Sequence, residues 1–131
     1  MTRQPTTQSS PDPETVTTAL QFGGITLPSS ATVLAVAHDS GIDERYRLVA
    51  KLTAADLQRF LTESGFTTPL SASGGPFQDP IDGYDLPATG VESASDSLAP
   101  ADGRTSTVFR ELAVDRRNVD QPVVHLWLYT T

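Results

Sequence analysis

The chain closes on VVHLWLYTT, residues 123–131, and this stretch limits the fold more than any other. Side chains of a strand alternate between the two sides of a sheet. Val124, Leu126 and Leu128 therefore share one side, and His125, Trp127 and Tyr129 share the other. A strand that is apolar or aromatic on both sides belongs inside a sheet with a layer on each face. The rest of the chain must supply neighbouring strands and two covers.

Four further segments read as regular structure. ATVLAVAHD, 31–39, is apolar on both faces, and ERYRLVAKL, 44–52, alternates. Tyr46, Leu48, Ala50 and Leu52 would face inward, and Arg45, Arg47 and Lys51 would face water. DSGID between the two runs has turn chemistry, so an antiparallel hairpin is expected. In LTAADLQRFLTESGF, 52–66, Thr53 is placed to cap a helix over about 54–64, with Asp56 as its capping-box partner. Leu57, Phe60, Leu61 and Ser64 form one stripe, and Gly65 followed by Phe66 suits a Schellman ending. A strand inside TSTVFRELAVDRR, 105–117, turns through DRRNVDQP into the closing strand and gives a second hairpin.

The remaining segments lack a period. Residues 1–18 are polar, hold three prolines and are expected to be a disordered tail or tether. Residues 19–28 read as an irregular or short edge segment. Residues 67–104, rich in Ser, Thr, Gly, Pro and Asp, read as one long loop. The expected fold is α+β: an antiparallel sheet of about four strands in two hairpins, one helix packed on a face, and a long irregular loop. Residues 19–131 would form a single domain.

Charge and composition exclude several functions. The net charge is −7, and the one adjacent basic pair, Arg116 and Arg117, is flanked by Asp115 and Asp120. Phosphate backbones need clustered cations, so no nucleic-acid partner is expected, and anionic membrane surfaces are disfavoured. With no cysteine, disulfides, thiolate metal sites and cysteine nucleophiles are ruled out. No apolar run approaches the roughly 20 residues of a membrane helix, so no transmembrane segment is expected. No cofactor is called for by any motif.

Arginine outnumbers lysine eight to one, and Ala, Asp, Thr and Val are abundant. With GGITLPSSATVLAVAHDSGIDERYRLVAKLTAADLQRFLTESGF, 23–66, this bias resembles small uncharacterised proteins of high-GC actinobacteria, many of them exported or lipid-anchored. The resemblance implies a cell-envelope setting and carries no catalytic residue. The Thr-, Ser- and Pro-rich N-terminal composition also reads as a tether between an anchor and a folded domain.

Candidate sites are few. His125, Trp127 and Tyr129, with Phe77 and Tyr84 from the long loop, could form a ligand surface of aromatics with polar tips. The alternative is that Phe77, Tyr84 and Leu86 cover the row as a second buried side, and the composition favours this. Asp79, Asp82 and Asp85 around Gly83 could hold a hard cation, although their spacing does not fit an EF-hand loop and turn chemistry explains them. His38 and His125 could make a metal pair only if their strands were neighbours. HDSGIDE, 38–44, crowds a histidine, a serine and carboxylates into one turn, where side chains diverge rather than converge as a triad requires.

The expected function is therefore a non-enzymatic binding or interaction domain of an exported or envelope protein, whose partner is another protein or an envelope component. The alternatives are a small hydrolase using His38 or His125 with nearby aspartates, and an inhibitor or toxin-neutralising protein.

Overall fold

A computed structural model describes residues 11–41, 43–72, 78–87, 89–101 and 105–131. The element order is α1 (Pro13–Gly23), β1 (Thr32–Ser40), β2 (Glu44–Lys51), α2 (Ala54–Glu63), β3 (Ser71–Ala72), β4 (Val91–Leu98), β5 (Val108–Asp115) and β6 (Val123–Tyr129). The strands form a single antiparallel sheet in the order β1-β2-β6-β5-β4-β3. The α+β class and both expected hairpins are present, and the hairpins join through the β2 and β6 pairing. Among the described residues there are six strands and two helices, where about four strands and one helix were expected.

The extra elements lie in segments read as irregular. Within the expected tail, Asp12 caps α1 by accepting from the Thr15 amide at 3.0 Å, Pro13 opens the helix, and Val16, Ala19 and Leu20 meet the core. Helix α1 ends with Gly24 at φ 61°, and the Ile25 amide reaches the Leu20 carbonyl at 2.9 Å. Residues 1–10, the rest of the expected tail, lie outside the described residues. Strand β4 lies within the expected loop. VESASDSL has little intrinsic strand character, and pairing with β5 along its whole length organises it.

Helix α2 forms as its sequence predicts. Thr53 accepts from the Asp56 amide at 3.3 Å, and Leu57, Phe60, Leu61 and Ser64 are all buried. The Phe66 amide donates to the Leu61 carbonyl and the Gly65 amide to the Thr62 carbonyl, both at 3.0 Å, which completes the Schellman ending. The main core joins both helices to one face of the sheet through Leu48, Leu112, Leu126 and Leu128. Gly23 permits the close approach of α1 to β6. A Cβ there would lie 2.7 Å from both Cδ atoms of Leu128.

One charged residue is sealed into this layer. Arg110 projects from β5 with 0% exposure. Its Nε and Nη2 each donate to Asp96 on β4 at 2.7 Å, one to each carboxylate oxygen. Its Nη1 donates to the carbonyls of Gly23 at 3.0 Å and Ser64 at 2.8 Å, the residues that close α1 and α2. Neither helix has a basic residue in its last turn, so this one guanidinium supplies the cation both C-termini favour. The Phe66 ring lies 4.1 Å from the guanidinium carbon.

Candidate functional site

The opposite face carries the aromatic row. Register across the sheet sets Arg45 against Tyr129, Arg47 against Trp127 and Val49 against His125, and β5 adds Glu111 and Ala113. Residues 78–87 cross this face as a strap. Ile81 packs with Ala35 and Val49, while Leu86 packs beside Val91, Ala113 and Trp127. The Trp127 indole is 1% exposed, and its Nε1–H donates to the Asp79 carbonyl at 3.0 Å. His125 is 2% exposed, and its ring lies 6.2 Å from that of Trp127. Tyr129 is half-buried and donates to Glu111 at 2.6 Å.

The row is thus interior rather than an open ligand surface. The Tyr84 hydroxyl donates to the Leu34 carbonyl at 3.3 Å and so anchors the strap to β1. Leu86 packs beside Trp127 as the sequence suggested, whereas Tyr84 packs with Ala35, Val49 and Ile81 over β1 and β2 rather than on the row, and Phe77 lies outside the described residues.

Cations on the sheet fasten the strap. Arg45 donates to Asp39, to Gln78 and to Asp79. Arg47 Nη1 reaches the Asp79 carboxylate at 3.3 Å and the Pro80 carbonyl at 3.4 Å. These arginines were expected to face water, but the strap turns them into its clasp. Arg117 grips Asp115 and reaches the Asp85 carbonyl at 2.9 Å, and Arg116 pairs with Glu92. Both members of the basic dipeptide are therefore matched by carboxylates.

Electrostatics follow burial. Desolvation lowers the His125 pKa to about 4, an effect that Asp115 opposes and Arg117 reinforces. Desolvation and the Glu111 hydrogen bond raise the Tyr129 hydroxyl to about 12. Hydrogen bonds from Arg45 hold the Asp79 carboxyl below its usual range. Two buried nitrogens, Arg47 Nε and His125 Nδ1, have no hydrogen-bond partner among the described residues.

The other candidates do not assemble. Asp79, Asp82 and Asp85 are all exposed, and Asp79 is engaged by the two arginines. Among the described residues, no group of three His, Asp or Glu side chains is placed to hold a metal. His38 and His125 cannot pair, because β2 separates β1 from β6. His38 stacks on Tyr46 at 4.2 Å and pairs with Glu44 at 2.6 Å. Within 38–44, His38 and Glu44 therefore converge where divergence was expected, while Asp39 turns away to Arg45. No helix among the described residues is long and apolar enough to cross a membrane.

Sequence reasoning missed a groove of about 750 Å³ along the outer edge of β1. Its floor is residues 34–38. Pro11, Asp12 and Thr15 bound it on the α1 side, and Arg47, Asp79, Pro80, Ile81 and Asp82 on the strap side. Strand β1 is nine residues long and, among the described residues, pairs only with β2. Leu34 is the extra residue of a bulge between Val33 and Ala35, and Tyr84 occupies its carbonyl. No protein-family model matches this chain, and no match was found among curated proteins or solved structures.

Proposed function

We propose that this chain is a non-enzymatic protein-binding domain that receives an extended segment of its partner along β1. The observation that carries this reading is the groove of about 750 Å³ beside the nine-residue outer strand β1. Among the described residues, one end of the sheet finishes in Ser71–Ala72, which pairs with Glu92 and Ser93 and leaves the β4 backbone from Ala94 to Leu98 at that edge. The other finishes in the nine residues of β1, without proline or lysine and with a groove beside it. A free strand edge inside a groove suits strand addition, in which main-chain hydrogen bonds supply affinity and the groove walls select side chains.

The aromatic row then supports the sheet from within instead of making the contact. The hydrolase reading has less behind it. His38 has an acidic partner in Glu44 but faces the helix side, while His125 lies beneath the strap. We also place the domain outside the cytoplasm or on the envelope, a setting supported by the Thr-, Ser- and Pro-rich residues before α1.

A photo-crosslinking residue at Ala37, compared with one at Ser95 on β4, tests the proposal in an extract of the source cells. The expected result is one protein crosslinked from position 37 and not from position 95. Crosslinking from neither position, or equally from both, contradicts it.

A further inference from the structure

We infer that the segment received along β1 is cationic: an extended peptide carrying lysine or arginine at alternating positions, added as a seventh strand. This inference rests on the edge reading above and adds the chemistry of the partner.

The walls of the groove supply the argument. Among the described residues three carboxylates line it, Asp12 on the α1 side and Asp79 and Asp82 on the strap side. Arg47, the arginine among the described lining residues, faces Asp79 at 3.3 Å and Asp39 at 3.6 Å. Arg45 faces the same two carboxylates, so these four charges offset and the excess negative charge of the walls lies on Asp12 and Asp82. Asp82 is exposed and has no ion-pair partner among the described residues. Hydrogen bonds from Thr15 hold Asp12 below the usual carboxylate range, and those from Arg45 do the same for Asp79. Both are therefore ionised at neutral pH.

Strand geometry connects these carboxylates to an incoming chain. Successive side chains of an added strand would point alternately to the two faces, with like-facing residues about 7 Å apart. One set would project toward Asp12 and the other toward Asp79 and Asp82. Ala35 and Ala37 lie on the strap side of β1 and leave space there for long cationic side chains. The bulge at Leu34 limits pairing to the strand beyond it.

A second copy of the chain fits this edge poorly. Pairing β1 with its own counterpart would bring two acidic rims together in a molecule of net charge −7.

The probes are three capped eight-residue peptides in which threonine alternates with lysine, with glutamate or with serine, followed by backbone amide NMR shifts of the full chain. The lysine peptide is expected to shift amides of residues 35–38 and to bind about three-fold tighter than the serine peptide, as one partly exposed ion pair at Asp82 would give. Its binding should weaken with added salt and with Asp82→Asn, and the glutamate peptide should leave β1 unshifted. Equal binding of the lysine and serine peptides at β1 would overturn the charge inference and leave the edge reading standing. Shifts confined to other strands, or no binding by any peptide, would overturn both. Concentration-dependent shifts of the same amides in the chain alone would assign the edge to a second copy and overturn the cationic partner.

Discussion

The helix-covered face of the sheet buries Arg110 and gives its guanidinium Asp96 and the closing carbonyls of both helices. The strap-covered face buries Arg47 Nε and His125 Nδ1 without a hydrogen-bond partner among the described residues. The two covers differ in kind. Helices bring their own backbone hydrogen bonds and leave only their ends to be satisfied, so a single cation at two converging C-termini closes that layer. An irregular strap must be fastened point by point, and here the fasteners are partly exposed ion pairs and single carbonyls. Such a cover is expected to open at lower free energy than the helix layer.

Arg110→Ala should have the largest effect, about 3–5 kcal/mol in urea unfolding, because it leaves Asp96 charged and both helix ends unsatisfied. Replacing Arg110 and Asp96 together with leucines should recover most of that loss. A cost for Arg110→Ala no larger than that of a surface change would erase the contrast between the faces.

Trp127→Ala should cost slightly less, about 3–4 kcal/mol, because the strap can settle partly into the space left. Amide exchange in residues 78–87 should accelerate in this variant more than exchange in α2. The reverse order would mean that the strap is held independently of the indole.

His125 gives the strap face a pH dependence of its own. Its folded pKa of about 4 lies below the ordinary value of 6.5, so the unfolded chain binds the proton more readily. Its contribution is fully present above about pH 6.5 and is lost as pH falls toward 4, on the order of 3 kcal/mol. His125→Phe should flatten the stability profile between those limits. An unchanged slope would assign it to the carboxylates instead.

Asp79→Asn should have the smallest effect, about 1 kcal/mol or less, because the Asp79 side chain is 71% exposed. It should loosen the strap selectively, visible as faster exchange at residues 78–82 with α1 and α2 unchanged.

Much of this architecture was legible in the sequence. The caps and stripe of α2 act locally, and the alternation in 44–52 and 123–129 reports two-sided burial directly. Helix α1 carried comparable local signals: Asp12 before Pro13, apolar residues at 16, 19 and 20, and Gly24 before Ile25. The surrounding threonines and the neighbouring prolines hid them. Strand β4 was not legible, because Ser93, Ser95 and Ser97 carry no strand preference and only the β5 pairing orders them. Arg110 falls in phase with Leu112 and Val114 on the buried side of β5, and that phase was the available sign of a buried cation. The β1 groove depends on strand order and on α1 and the strap meeting beside one edge, which local patterns do not encode.

The aromatic row lies beneath the strap, and the proposed recognition surface is the edge of β1 instead. Acrylamide quenching of the single tryptophan tests the burial of the row directly. The account predicts blue-shifted emission and weak quenching from Trp127 in the folded chain, both reversed only on unfolding. Solvent-like emission with ready quenching under native conditions would contradict it and restore the row as an exposed binding face.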